Sequence, residues 1–168
     1  MLLGILGSAV GGLALFGVGS PQEGQAPPST PSEIEQVLKA TGYEHKDEGG
    51  FISFKLTFTD TKRKHTIFVR KAAEQYLSLK VNEVYGLAYE STAAPQADLF
   101  NKIFEKRFSL GHVIVEKPSE RQKFWRIRYR LDFHSGWTPD RFKEIAAVVG
   151  GTADALEQEF NPGTEDTL

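Results

Sequence analysis

The chain has 168 residues, with 20 basic and 22 acidic side chains, four histidines and no cysteine. The lack of cysteine excludes disulfides, thiolate-bound zinc, thiol catalysis and lipid attachment at a cysteine. The formal net charge of -2 argues against bulk nucleic-acid binding, which is typical of strongly basic domains, so nucleic acid is not an expected partner.

Residues 2–18 carry no charged side chain, and Ser8 is their only hydroxyl. At about 1.5 Å per residue, a helix of this length is just long enough to cross a thin hydrocarbon core. Because the basic start of a secretory signal peptide is missing, we predict a single-pass membrane anchor. A cleaved signal and a buried hydrophobic arm are the alternatives. The acids that follow, Glu23 and Glu33, weakly favour an extracytoplasmic domain.

Small residues recur every four positions within this predicted anchor. Four-residue spacing places them on one helix face, where two backbones can approach closely. The pattern indicates helix association with a second copy or a partner subunit, and the general abundance of glycine in membrane helices is the alternative explanation. One row is Gly4, Ser8 and Gly12, and the other is Gly7 and Gly11.

Residues 19–30 are rich in Pro, Gly, Ser and Gln and predict a semi-extended tether. Residues 31–162 have the pattern of one globular domain, and residues 163–168 that of a disordered tail. The domain opens at Thr30-Pro31-Ser32-Glu33, a capping box with proline at the first helical position. The first helix ends at Gly42 and presents Ile34, Val37 and Leu38 on one face.

The hydrophobic period then changes to two, which predicts strands over residues 52–59, 65–70 and 76–82. The third strand can continue to residue 89 past a bulge at Gly86. Short turns between the strands predict antiparallel pairing. The inward positions are Ile52, Phe54, Leu56 and Phe58, then Ile67 and Val69, then Leu77, Leu79 and Val81.

A second helix follows Pro95, two further strands cover residues 112–116 and 125–133, and a third helix runs from Thr138 to Asn161. The order α-β-β-β-α-β-β-α, with one apolar sheet face, predicts an α+β two-layer sandwich with an antiparallel sheet. The apolar helix positions are Leu99, Phe100, Ile103 and Phe104, then Phe142, Ile145, Val149, Leu156 and Phe160. Gly150 and Gly151 are interpreted as positions of close helix–sheet packing.

This order of elements resembles the type III secretion chaperone-like fold, including the YbjN-type bacterial proteins. The similar stretch lies within residues 31–160 and includes Leu99-Phe100-Asn101 through Phe108 and the run Ala153-Asp154-Ala155-Leu156. The resemblance implies a small non-enzymatic domain that dimerises or binds other polypeptides. The predicted anchor and tether are a departure from a fold whose members are commonly soluble.

Arg126, Arg128 and Arg130 share one face of the last strand, at intervals of about 6.6 Å. They are a candidate face for an anionic partner, such as an acidic protein, lipid head groups or phosphates. A solvated sheet face that repels edge pairing is the alternative. The turn at residues 62–65 and the pair Glu157 and Glu159 are predicted to be solvated.

The motifs of serine hydrolases, dinucleotide-binding loops and Walker loops are absent. The four histidines lack metal-ligand spacing within any one element, so we expect no metal, no cofactor and no enzyme. The sequence predicts a membrane-tethered, non-catalytic protein-interaction domain that acts as a subunit or adaptor, with a protein partner or a second copy. A chaperone-like peptide-binding dimer and an enzyme of unrecognised type are the alternatives.

The first testable prediction concerns the anchor. Because residues 2–18 are uncharged over a spanning length, the full-length protein should remain in the pellet when membranes are extracted with alkaline carbonate. A variant that lacks residues 2–18 is the control and should be released. Recovery of the full-length protein in the supernatant would contradict membrane insertion.

Overall fold

The structure is a computed structural model that describes residues 33–134 and 138–161, without the side chains of Tyr76, Leu79 and His134. The chain divides into two units, Met1–Thr30 and Pro31–Leu168, and all the described residues belong to the second unit. The predicted anchor, tether, capping box before residue 33 and tail lie outside the described residues. Within the described ranges, every helix is too short or too polar to cross a bilayer.

The described residues form three helices and a seven-stranded antiparallel sheet, which confirms the predicted α+β class. The sheet order is β1-β2-β3-β5-β7-β6, and β4 pairs with β5. The helices are α1 (Glu33–Thr41), α2 (Ala97–Glu105) and α3 (Pro139–Phe160). The strands are β1 (His45–Asp47), β2 (Phe51–Thr57), β3 (Lys64–Arg70), β4 (Glu74–Tyr76), β5 (Leu79–Ser91), β6 (His112–Glu116) and β7 (Trp125–His134).

The sequence signals for the ends of α1 and α3 are confirmed. Gly42 follows α1 with φ +78°, a conformation that glycine adopts without steric cost. The Thr138 side chain accepts a hydrogen bond from the backbone N–H of Arg141 at 3.3 Å, and Pro139 occupies the first turn of α3. Asn161 caps the other end by donating its N–H to the carbonyl of Glu157.

The core lies between one face of the sheet and the helices α1 and α3. This inner face carries Ile52, Phe54 and Leu56 on β2, as predicted from their alternation, together with Ile67 and Val69 on β3. The opposite, outer face carries alternate residues of the same strands. The buried residues that α1 and α3 contribute to the core are Ile34, Val37, Leu38, Phe142, Ala146, Val149, Ala153 and Leu156.

Two predicted inward positions are wrong. Leu77 is 96 % exposed because residues 77 and 78 form the tight connection between β4 and β5, where Leu77 has φ +57°. Phe104 is 82 % exposed, because the short helix α2 buries Leu99 and presents its last turn to solvent. The three-residue strands β1 and β4 were not predicted, since three residues are too few to show a period.

The predicted bulge at Gly86 is also wrong, because the register shift lies between Leu87 and Tyr89. Gly86 instead allows α3 to approach the sheet closely. A Cβ built at Gly86 would lie 2.8 Å from the Cβ of Ala153 and 2.9 Å from Nε2 of His65. The predicted packing role of Gly150 is confirmed, because a Cβ there would lie 3.1 Å from Cδ1 of Leu56.

Replacing Gly86 with alanine should therefore destabilise the domain. The added methyl group has no space beside Ala153 and His65, and overpacking of this kind costs about 1–3 kcal/mol. Gly50→Ala is the matched control, because a Cβ at Gly50 meets no atom within 4 Å. Chemical denaturation of both variants measures the difference; equal midpoints would show that α3 does not pack as described.

Candidate functional site

The outer face of the sheet carries the predicted arginine row. Arg126, Arg128 and Arg130 alternate along β7 with Ile127 and Tyr129, which point into the core. All three side chains are at most about one-third exposed. Their guanidinium groups face carboxylates of neighbouring strands, so the row is neither isolated nor freely solvated.

Glu83 on β5 lies at the centre of this arrangement and is 1 % exposed in its side chain. Its Oε1 lies 2.8 Å from Nη1 of Arg128 and 3.7 Å from Nη1 of Arg130, and its Oε2 lies 3.2 Å from Nε of Arg70. We call these four residues the Glu83 network. Further pairs join Arg126 to Glu90, Arg128 to Glu116, Arg130 to Asp132 and Glu74, and Arg70 to Glu74.

Three aromatic rings lie beside the Glu83 network on the same face. Phe68 stacks on Tyr85 with ring centroids 5.1 Å apart, and Phe51 meets Tyr85 edge-on at 5.8 Å. The guanidinium carbon of Arg128 lies 4.7 Å from the Tyr85 centroid, a cation–π contact. Burial raises the pKa of Tyr85, although the nearby Arg128 opposes the shift, so the phenol stays protonated at neutral pH.

The shared face of the arginines is predicted from the sequence, but their partners are not. Glu83 and Glu90 come from β5, which is distant along the chain, and Glu116 comes from the neighbouring strand β6; the pairing of β5, β6 and β7 brings all three beside the row. Each arginine of the row already faces at least one carboxylate, so an anionic partner would have to displace these pairs. Binding of an anionic partner at this face stays a prediction.

A second cluster of polar side chains lies between the inner face of the sheet and α3. Arg63 donates from Nε to Oδ1 of Asp154 at 2.6 Å and from Nη2 to Oε2 of Glu157 at 3.0 Å. Nδ1 of His65 lies 3.6 Å from Oε2 of Glu157, and the imidazole is fully buried. We call these four residues the α3 cluster. The donor atoms of His65, Asp154 and Glu157 lie within 4.8 Å of one another, so these three side chains could hold a metal ion.

The α3 cluster overturns two sequence interpretations. Glu157 is 1 % exposed rather than solvated, and Arg63 crosses from the turn at residues 62–65 to α3. His65 lies on β3 and the two acids lie on α3, so no spacing within a single element indicates the cluster. The only available signal was the one-turn spacing of Asp154 and Glu157 beside the small residue Ala153.

A third feature is an apolar groove of about 340 Å³ between β7 and α3. Two of its apolar residues are well exposed, Leu110 at 59 % and Val148 at 38 %. Strand β6 pairs with β7 only from Arg126 to Arg130, so beyond that point no described strand covers this edge of β7. The groove is lined by Leu110, Leu131, Phe133, Ile145 and Val148, with Asp132, Arg141 and Glu144 at its rim.

A wider groove of about 700 Å³ adjoins the short strand β1. It exposes the ring of Phe68 and the side chains of Lys46 and Lys55 beside Glu44 and Glu48, so its charges are mixed. Lys46 pairs with Glu48 at 2.9 Å.

The predicted helix-association residues Gly4, Gly7, Ser8, Gly11 and Gly12 lie outside the described residues.

Comparison of the chain with known protein families, with curated proteins and with solved structures finds no match. Function must therefore be inferred from the side-chain clusters and grooves of the described residues.

The Glu83 network generates a stability prediction. Glu83→Gln leaves the guanidinium groups of Arg70, Arg128 and Arg130 without their central anion, and removing one partner of a buried pair costs several kcal/mol. Because these arginines keep Glu74, Glu116 and Asp132, we expect a loss of about 2–3 kcal/mol. Glu116→Gln, at a carboxylate that is 35 % exposed, is the control and should cost under about 1 kcal/mol. Equal losses in urea denaturation would contradict the central role of Glu83.

Proposed function

We propose that this chain is a non-catalytic protein-interaction domain, held at a membrane by residues 2–18, and that it acts as a subunit or adaptor of a larger assembly. The observation that supports it most directly is the β7–α3 groove. Apolar side chains are exposed there next to a strand edge that no described strand covers. Exposed apolar surface combined with a free edge is typical of sites that bind polypeptides.

The edge of β7 favours an extended segment over a helix as the occupant. Residues 131–134 of β7 pair with β5 on one side, from Val84 to Val81, and no described strand pairs with them on the other. An added strand could pair along this edge and continue the sheet. The occupant of the groove is therefore an extended segment of a partner protein.

The lining of the groove determines which side chains that segment needs. Alternate residues of a strand point to one face, so every second residue of an added strand would lie beside Leu131 and Phe133. These positions lie near Ile145 and Val148 of α3 and favour apolar side chains. Arg141 and Glu144 at the rim provide one charge of each sign for the residues between.

The rim also supports one alternative, a chaperone-like dimer of the kind implied by the resemblance to type III secretion chaperones. Arg141 and Glu144 lie three residues apart on α3. Across a two-fold axis, Arg141 of one copy can face Glu144 of the other, which makes the surface self-complementary. The two occupants differ in stoichiometry, which native mass spectrometry measures.

The ion-paired groups do not favour the enzyme alternative. Among the described residues, the buried carboxylates Glu83, Asp154 and Glu157 each face at least one arginine. None of these three carboxylates lines either of the two grooves, where a substrate would reach a general base.

Val148→Glu should weaken peptide binding at the groove, because it places a charge between the apolar lining residues. The measurement is selection of random displayed peptides on the full-length protein in detergent, followed by titration of the enriched peptides. These peptides should alternate apolar and polar residues, and Val148→Glu should weaken their binding at least tenfold, about 1.4 kcal/mol.

Leu77→Glu is the matched control, because Leu77 is another exposed apolar residue and lies at the β4–β5 connection. It should leave binding unchanged. Peptides that bind the Val148→Glu protein as tightly as the unaltered one would refute the groove as the site. A dimer that Val148→Glu converts to monomer, without peptide enrichment, would favour the second copy.

A further inference from the structure

We propose that His65, Asp154 and Glu157 form a binding site for a divalent transition-metal ion, with Zn²⁺ as the best-fitting ion, and that Arg63 competes with the metal for the two carboxylates. This inference concerns a different part of the domain from the β7–α3 groove and does not depend on it.

The three ligands are presented by two rigid elements. His65 lies within β3, and Asp154 and Glu157 are separated by one turn of α3, so their side chains project from the same side of the helix. Their nearest donor atoms already lie within 4.8 Å of one another. Tetrahedral zinc with bonds of about 2.1 Å places its ligand atoms roughly 3.4 Å apart. The side chains therefore need to close by about an ångström, which rotamer adjustment supplies.

The donor set selects the class of ion. One imidazole nitrogen and two carboxylate oxygens suit zinc and neighbouring first-row metals, with an open position for water. Calcium and magnesium prefer ligand sets made wholly of oxygen, so the imidazole disfavours them. All three residues are buried, at 0 % for His65, 6 % for Asp154 and 1 % for Glu157.

The surroundings give the ligands defined positions. Gly86 leaves the space that the imidazole of His65 occupies, since a Cβ at Gly86 would lie 2.9 Å from Nε2. The Gln158 side chain donates from Nε2 to Oδ2 of Asp154 at 2.7 Å, which leaves Oδ1 directed at the cluster. Orienting hydrogen bonds of this kind are typical of the residues around metal ligands.

Arg63 shows that a cation is stable between the two carboxylates. Its guanidinium contacts both of them, yet its side chain is 20 % exposed and it comes from the turn that joins β2 to β3. Arg63 can therefore move to solvent while β3 and α3 stay in place. A metal ion would take its position, and the Arg63 side chain would be released at the surface.

The test uses the full-length protein in detergent and Co²⁺, whose visible absorption reports nitrogen and oxygen ligands. We expect weak, saturable 1:1 binding to the unaltered protein. Arg63→Ala removes the competitor and should raise the Co²⁺ affinity at least tenfold. The metal should also restore the melting temperature that Arg63→Ala loses. A purely structural ion pair predicts the loss without the restoration.

Lys62→Ala changes a neighbouring charge on the same turn and should leave the affinity unchanged. Glu157→Gln, in the Arg63→Ala background, should abolish binding. Arg63→Gln keeps a neutral donor and serves if Arg63→Ala does not fold without metal. Failure of both Arg63 variants to bind Co²⁺ or Zn²⁺ more tightly than the unaltered protein would overturn the proposal, as would tight binding that survives Glu157→Gln.

Discussion

Helix α3 approaches the centre of the sheet so closely that Gly86 has no space for a side chain and Gly150 has little. At Gly86 the obstacle is Ala153 together with the ring of His65, and at Gly150 it is Leu56 and its neighbours. This contact fixes where α3 lies on β3 and β5. It also places Asp154 and Glu157 over His65, and it determines where the amino-terminal half of α3 runs beside β7. The α3 cluster and the β7–α3 groove both follow from this packing.

Charge is arranged differently on the two sides of the sheet. On the outer face, Glu83 lies within ion-pair distance of Arg70, Arg128 and Arg130. Other, more exposed acids pair with the same arginines. Under the inner face, Arg63 spans two carboxylates of α3. In both places the desolvation cost of a buried charge is offset by opposite charges within hydrogen-bonding reach. The domain therefore keeps its clustered ionisable groups in structural pairs, apart from the apolar side chains exposed at the groove, Leu110 and Val148.

The features predicted well from sequence are those with a local signal. The alternation of Ile52, Phe54 and Leu56 predicted which side chains of β2 face the core, and Thr138-Pro139 predicted the start of α3. Leu77 and Phe104 were wrongly predicted to point into the core. An apolar residue at a tight connection or at a helix end is of the same type as one in the core, so the residue type does not report its burial. Composition cannot distinguish these positions; only the pairing of β4 with β5 and the short length of α2 do.

The α3 cluster and the β7–α3 groove depend on contacts between residues far apart in the chain. For this reason they were not predicted from the sequence. Arg63 and Asp154 are separated by 91 positions. The groove requires Leu110 from the segment before β6, Phe133 from β7 and Val148 from α3 to meet. Each of these residues alone resembles an ordinary core or surface residue. Their combination depends on strand order, in which β7 lies between β5 and β6, and no local pattern encodes that order.

The central claim is that the β7–α3 groove is the contact surface for a partner protein. Site-specific photocrosslinking from position 148 of the full-length chain, in the membranes of the cells that make it, tests this most directly. Mass spectrometry of the crosslinked peptide should identify an extended, alternately apolar segment of another polypeptide, and the same probe at position 77, which is more exposed than position 148, should not capture it. Crosslinks to lipid alone, or identical products from both positions, would contradict the claim.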